Sequence, residues 1–143
     1  FVIGSIGRNG LYARELYQRG MDALVYEGHP LYDRELLSVS DLRDEPLIML
    51  NERFSCYHNF VGRCKDFGFI PLIRVKTMEV QLIYRFCREK MGIGIDTNIH
   101  KHDISMDGIH RIKLQDAFSW KISIVCKEDR KEEALIRKLI DIF

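Results

Sequence analysis

Apolar and polar positions occur along the chain in blocks that predict a mixed α/β protein. Short apolar runs predict strands, and apolar residues spaced three and four apart predict helices. The predicted strands cover residues 1–6, 22–27, 47–50, 70–76, 92–95, 109–114 and 120–126. The predicted helices cover residues 55–67, 78–91 and 129–143, with Gly68 able to end the first of them. Ser40, Asp41 and Leu42 indicate one short helical turn.

Strands and helices alternate between residues 47 and 96, which predicts parallel crossovers. In sheets of this kind, ligands bind beyond the carboxyl ends of the strands, near helix N-termini. Ser55 follows one predicted strand and Thr77 follows the next, and both residue types are favoured as N-caps. Glu79 suits the first turn of the second helix. The two caps are therefore expected side by side at one edge of the sheet.

Composition places the chain among soluble globular proteins of one domain or two small lobes. It has 143 residues, of which 46% are hydrophobic and 30% are charged. With 22 basic and 21 acidic residues, the net charge of +1 does not suggest a surface that binds nucleic acid by itself. No stretch approaches the roughly 18 apolar residues of a membrane-spanning helix, so no membrane association is expected.

Cysteines stand at positions 56, 64, 87 and 126, and none of them forms a close pair. The spacing therefore does not support a zinc ribbon. Each cysteine lies among apolar residues, which favours buried free thiols in a reducing compartment. This predicts a cytoplasmic protein.

Several segments together resemble the LysR-type transcriptional regulators. The first is YEGHPLYDRELLSVSDLRDEPLIML, in which the matching residues are His29, Pro30, Leu31, Asp41, Leu42, Pro46, Leu47 and Ile48. The second, FGFIPLIRVKTMEVQLIYRFCREKMGIGI, carries Gly68, Phe69, Pro71, a Thr-Met-Glu helix start and a Gly-Ile-Gly-Ile strand. IHRIKLQDAFSWKISIVCKED resembles the closing strands of the family. Each motif is short, but their order is specific and covers nearly the whole chain.

The resemblance implies a fold of the type II periplasmic-binding-protein kind, with two lobes of mainly parallel sheet flanked by helices. Lobe II would cover residues 24–109, and an incomplete lobe I would consist of residues 1–23 and 110–143. A small-molecule effector would bind in the cleft between the lobes. The family also implies a homo-oligomer, a dimer or tetramer, that contacts DNA through a winged helix-turn-helix outside this chain.

The candidate effector-binding residues lie at strand ends and helix starts that are expected to face the cleft, namely Ser5, Asn51, Ser55, Thr77 and Met78. Free N–H groups and a partial positive charge at helix N-termini favour an anionic effector. Simple capping and turn formation explain the same residue types. The two explanations are compatible, because a helix terminus has more free N–H groups than one cap satisfies.

Cys56 and Cys64 allow a second interpretation through the same resemblance. A peroxide-sensing branch of the family carries two redox cysteines in the corresponding helix region, at similar spacing. On an intact helix, eight residues correspond to roughly 12 Å, which is too far for a disulfide. Bridging would require local unfolding, and Cys64 also falls on the apolar stripe. Redox sensing and buried free thiols therefore both stay open.

Other chemistry finds little support in the sequence. His100, Lys101, His102 and Asp103, preceded by Asp96, have a spacing that an exposed polar loop explains as well as a metal site. There is no nucleophile elbow, phosphate-binding loop or paired carboxylate motif, so neither an enzyme nor a cofactor is predicted.

The leading hypothesis is an effector-sensing domain that controls a transcription factor allosterically. A free-standing solute-binding protein of a transport system is the alternative. An exported protein would favour oxidised or absent cysteines, so the four scattered cysteines count against it.

Overall fold

The computed structural model describes Val2, Ile3 and residues 10–97, 104–130 and 133–141. Over these residues the elements in chain order are β1 (Val2–Ile3), β2 (Leu11–Arg19), β3 (Asp22–Tyr26), β4 (Leu36–Leu37), β5 (Pro46–Leu50), α1 (Ser55–Asp66), β6 (Leu72–Thr77), α2 (Val80–Arg88), β7 (Ile93–Asp96), β8 (Ile109–Leu114), β9 (Trp120–Lys127) and α3 (Ala134–Asp141). Short 3-10 turns occupy Val39–Leu42 and Glu128–Arg130.

The chain divides into two units, a smaller one formed by Phe1–Arg19 with Ser119–Phe143 and a larger one formed by Gly20–Phe118. The expected lobe boundaries, after residue 23 and before residue 110, fall inside β3 and β8. Because these two strands pair along their whole length, the structure keeps both in the larger unit.

The smaller unit contains a three-stranded sheet in the order β1-β9-β2. Both pairings are antiparallel, so the expectation of mainly parallel strands is wrong for this sheet. Strand β2 was not predicted from the sequence. Its described side chains do not alternate between buried and exposed, and a bulge between Glu15 and Tyr17 interrupts its register with β9.

The larger unit contains a six-stranded sheet in the order β4-β8-β3-β7-β5-β6. Three of its five strand pairings are parallel, and the two that involve β3 are antiparallel. Helix α2 packs on β7, β5 and β3, and its buried face carries Ile83, Tyr84 and Cys87. Helix α1 contacts β5 and buries Cys56, Phe60 and Cys64. The predicted α/β architecture is confirmed here.

The two long helices of the larger unit end in the same way. The N–H of Phe69 bonds the carbonyl of Cys64, and Gly68 between them has a φ of +78°. At the end of α2, the N–H of Met91 bonds the carbonyl of Phe86, and Lys90 has a φ of +58°. Both are Schellman ends, which favour glycine in the left-handed position. The predicted stop at Gly68 is confirmed, whereas α2 ends three residues before the predicted Met91 because Lys90 adopts that conformation.

Candidate functional site

Parallel pairing brings the carboxyl ends of β5, β6 and β7 to one edge of the larger sheet. Leu50, the last residue of β5, lies opposite Thr77, the last residue of β6. One residue later, the main-chain N–H of Asn51 donates to the carbonyl of Thr77 at 2.8 Å. The two predicted polar positions are therefore neighbours. We call the group Asn51, Ser55, Thr77 and Met78 the strand-end surface.

Neither helix start has the capping geometry that the sequence predicts. The N-cap of α1 is Phe54, and Ser55 is the first helical residue. The N-cap of α2 is Glu79, and no side chain of the described residues caps either helix. The assignment of Ser55 and Thr77 as N-caps is wrong, because each strand leads into its helix through a polar turn of its own.

Those turns are held by the side chains of Asn51 and Thr77. The Asn51 Oδ1 atom accepts a 3.1 Å hydrogen bond from the N–H of Arg53. The Thr77 hydroxyl accepts a 3.0 Å hydrogen bond from the N–H of Glu79. Side chains of this kind commonly satisfy the main chain two residues later. Among the described residues, the first N–H groups of both helices have no side-chain cap.

Accessibility differs across the strand-end surface. Thr77 is buried, with 7% of its surface exposed, whereas Met78 is 56% exposed. Ser55 is exposed and Asn51 is half-buried. A ligand at this edge would therefore meet Ser55 and Met78 first. Ser5 lies outside the described residues.

A charged group borders the strand-end surface. The Lys76 ammonium lies 3.4 Å from the carboxylate of Glu52 and 5.1 Å from the ring centre of Tyr57. A hydrogen bond with the Tyr57 hydroxyl raises the pKa of Lys76. A main-chain hydrogen bond, with Lys76 nearby, lowers the pKa of Glu52. One cation thus stands beside the start of α1, partly compensated by one carboxylate.

Cys56 and Cys64 lie on α1 as free, buried thiols. Burial raises the pKa of both, that of Cys64 to about 12. Because the thiolate is the reactive form, this environment favours the inert thiol at both positions. The redox interpretation stays a hypothesis that requires opening of α1.

The possible metal ligands at 100, 102 and 103 lie outside the described residues. Asp96 is described, and its carboxylate is engaged by Tyr84 and Arg111. Among the described residues, no group of three or more histidine, cysteine, aspartate or glutamate side chains is arranged to hold a metal ion. The described part of the chain also has no helix that is long and apolar enough to cross a membrane.

Sequence reasoning missed a polar network formed by Asp22, Tyr84, Asp96 and Arg111. The Tyr84 hydroxyl donates to Asp96 Oδ2 at 2.6 Å, and Arg111 Nη1 donates to the same oxygen at 2.9 Å and to Asp22 Oδ2 at 3.0 Å. Arg111 Nη2 also donates to the Tyr84 hydroxyl. The available signal was two aspartates that border otherwise apolar strands.

Burial and charge shift two pKa values in this network. Burial raises the pKa of Tyr84, and the hydrogen bond to the Asp96 carboxylate adds to the shift. Burial opposes the charge of Arg111, but hydrogen bonds to Asp22 and Asp96 outweigh it and raise the pKa of Arg111. A protonated phenol and a charged guanidinium therefore persist together inside the larger unit.

Comparison with solved structures identifies the fold. A putative LysR family transcriptional regulator from Pseudomonas aeruginosa superposes with a TM-score of 0.79 at 19% identity, covering 99% of this chain and 50% of that one. The BenM effector-binding domain, solved with its effector benzoate, gives a TM-score of 0.71 at 18% identity, covering 96% of this chain and 67% of that one. The fold is that of LysR effector-binding domains, of the type II periplasmic-binding-protein kind.

Sequence comparison identifies the family. The model of the LysR substrate binding domain matches residues 1–143, and the chain belongs to that family. Two regulators of Bacillus subtilis strain 168 are related to it. The HTH-type transcriptional regulator YwbI is 26% identical over 108 residues, covering 75% of this chain and 36% of YwbI. AlsR is 27% identical over 116 residues, covering 80% of this chain and 38% of AlsR. The chain thus spans less than two fifths of either relative.

Proposed function

We propose that this chain senses a small anionic effector at the strand-end surface and thereby controls a LysR-type regulator allosterically. The observation that carries the proposal is that α1 and α2 follow the carboxyl ends of neighbouring parallel strands and begin without a side-chain cap from the described residues. The bond from the Asn51 N–H to the Thr77 carbonyl joins the two strand ends that lead into these helices.

The charge of the effector follows from the electrostatics of these helix starts. Each helix N-terminus carries the equivalent of roughly half a positive charge, together with unsatisfied N–H groups. The exposed Ser55 adds a hydroxyl at the first position of α1. Lys76 adds a cation nearby. A carboxylate, phosphate or sulfate fits this combination better than a neutral or cationic group.

The output of the proposed sensor lies outside the chain. In the whole regulator, a separate DNA-binding domain would read the promoter, and a homo-oligomer would carry the effector signal to it. An effector acts in this way only if it binds one conformation more tightly than another. The transport alternative is not favoured, because the related proteins are transcriptional regulators. The same relatives do not favour an enzyme.

Calorimetric titration of the intact regulator with acetate, pyruvate, citrate, phosphate and sulfate tests the proposal. For the tightest binder, Ser55→Ala and Thr77→Ala should each weaken binding about ten- to a hundredfold, the equivalent of a lost hydrogen bond to a charged ligand. Ser105→Ala is the matched control, since it removes an exposed hydroxyl from the loop before β8, at the opposite edge of the sheet.

Thermal unfolding of each variant separates binding from folding, because loss of the Thr77 turn bond alone costs about 1 kcal/mol of stability. If both variants remain folded and bind as tightly as the wild type, the effector site lies elsewhere. If none of the five anions binds, the anionic class is wrong.

A further inference from the structure

We propose that the polar network of Asp22, Tyr84, Asp96 and Arg111 is a coupling device that ties α2 to the point where the chain enters the larger unit. Its use in signalling rests on the proposed function, because α2 begins beside the strand-end surface. The coupling itself is a property of the folded chain and is open to a test without any effector.

Four separate elements meet in this network. Asp22 is the first residue of β3, Asp96 the last of β7, Tyr84 lies on α2 and Arg111 on β8. Three of the side chains belong to residues that are 2–8% exposed, and the Arg111 side chain is 28% exposed. Hydrogen bonds between charged groups in such surroundings are strong and hold a defined geometry.

Arg111 makes the network cooperative rather than a set of independent pairs. Its Nη1 group donates to both the Asp22 and Asp96 carboxylates, and its Nη2 group donates to the Tyr84 hydroxyl. The hydroxyl in turn donates to the Asp96 oxygen that Arg111 contacts. A displacement of Tyr84 therefore moves or releases the guanidinium, and the geometry at Asp22 changes with it. Residues that share partners in this way are coupled energetically.

One end of the network lies close to the strand-end surface, and the other lies close to the start of the larger unit. Tyr84 is on the second turn of α2, shortly after Thr77 and Met78 of the strand-end surface. Asp22 comes two residues after Gly20, where the larger unit begins. A ligand that shifts the start of α2 would thus alter the anchoring of the entering strand. Small shifts are transmitted in this way when the intervening contacts are packed and specific.

Residue-resolved amide hydrogen exchange of the chain provides the test. Tyr84→Phe keeps the ring and removes the hydroxyl. We expect it to accelerate exchange at residues 22–24 about tenfold, because Arg111 bonds both the Tyr84 hydroxyl and Asp22. Asp22→Asn should reciprocally accelerate exchange on α2 near Tyr84. Arg111→Lys, which keeps the positive charge but loses the forked geometry, should affect both ends.

Two internal references make the result decisive. Tyr32→Phe is the matched control. The Tyr32 ring contacts His110, which precedes Arg111 on β8, but the hydrogen bond between the two residues joins the His110 ring to the main-chain carbonyl of Tyr32, which the substitution keeps. The amides of residues 47–49 on β5 report global destabilisation. Coupling is supported if the exchange rate at residues 22–24 increases at least five times as much as the rate at residues 47–49. Uniform acceleration, or none at residues 22–24, overturns it. An effector site located elsewhere would leave this outcome unchanged, so the two proposals fail separately.

Discussion

The phenol of Tyr84, on a helix, donates a 2.6 Å hydrogen bond to the carboxylate of Asp96, at the end of a strand. Tyr84 is 2% exposed and Asp96 is 5% exposed. A hydrogen bond to a buried charged group contributes roughly 1.5–3 kcal/mol. We therefore expect Tyr84→Phe to lower the free energy of unfolding by about that amount, measured by urea denaturation at pH 7. Tyr32→Phe should change it by less than about 0.5 kcal/mol.

The same bond predicts how this difference depends on pH. Because burial raises the pKa of Tyr84, the folded protein keeps the phenol protonated while the unfolded chain ionises near pH 10. The stabilisation is fully present below about pH 10 and is lost as the pH rises toward the folded-state pKa. The gap in unfolding free energy between wild type and Tyr84→Phe should narrow above pH 10. A constant or widening gap up to pH 11 would contradict the assignment.

The cysteines should differ in reactivity in the native state. Burial raises the pKa of three of them: the pKa of Cys64 rises to about 12, that of Cys87 rises to about 11, and that of Cys56 also rises. Cys126 is half-buried. At pH 8 and without reductant, a thiol reagent should label Cys126 first and the other three only slowly, whereas denatured protein should show four thiols. A count of two in the denatured, unreduced protein, with a peptide that links Cys56 to Cys64, would favour the redox interpretation instead.

The left-handed conformation of Lys90 predicts a stabilising substitution. Gly68 occupies the equivalent position after α1, whereas Lys90 has a φ of +58° with a Cβ atom. A left-handed side-chain-bearing residue costs roughly 1–2 kcal/mol, part of which glycine loses again through its freedom in the unfolded chain. Lys90→Gly should raise the unfolding free energy by about 0.5–1 kcal/mol. Lys90→Ala removes the same charge but keeps the Cβ, so it should give no comparable gain.

Two glycines should respond in opposite directions to alanine. A Cβ on Gly92 would lie 2.4 Å from the Pro46 carbonyl oxygen, whereas a Cβ on Gly62 would have no neighbour within 4 Å. Gly92→Ala forces main-chain movement between β7 and β5, which should cost about 2–3 kcal/mol. Gly62→Ala removes a glycine from the interior of α1 and should stabilise by up to about 1 kcal/mol. Equal effects in chemical denaturation would refute the packing argument.

The isolated chain should not retard promoter DNA specifically at physiological salt. Its 22 basic and 21 acidic residues leave a net charge of +1, whereas affinity for duplex DNA depends mainly on neutralising phosphates. Gel-shift titrations of promoter DNA with the isolated chain and, for comparison, with the intact regulator measure this binding. Specific retardation by the chain alone would place DNA recognition within these residues.

The sequence determined the elements whose patterns are local. The apolar runs at 47–50 and 109–114 form β5 and β8, and the helical stripe at 55–67 forms α1. These elements were predictable because the spacing of apolar residues along the sequence indicates which side chains are buried. Gly68 marked a helix end for the same local reason. The parallel order of β5, β6 and β7 followed from the alternation of strands and helices, so the meeting of Asn51 and Thr77 was predictable.

Only the tertiary structure decided features that depend on partners distant in the chain. Strand β2 has no periodic pattern of its own and exists because β9 pairs with it. The network joins Asp22 to Arg111, 89 positions away, so no local window contains it. The capping assignments for Ser55 and Thr77 failed because strand pairing sets where each turn begins, and the turn then shifts the helix start by one or more residues. The type of a residue determines which hydrogen bonds its side chain is able to form. The packing of the whole unit determines which group is the partner in each of those bonds.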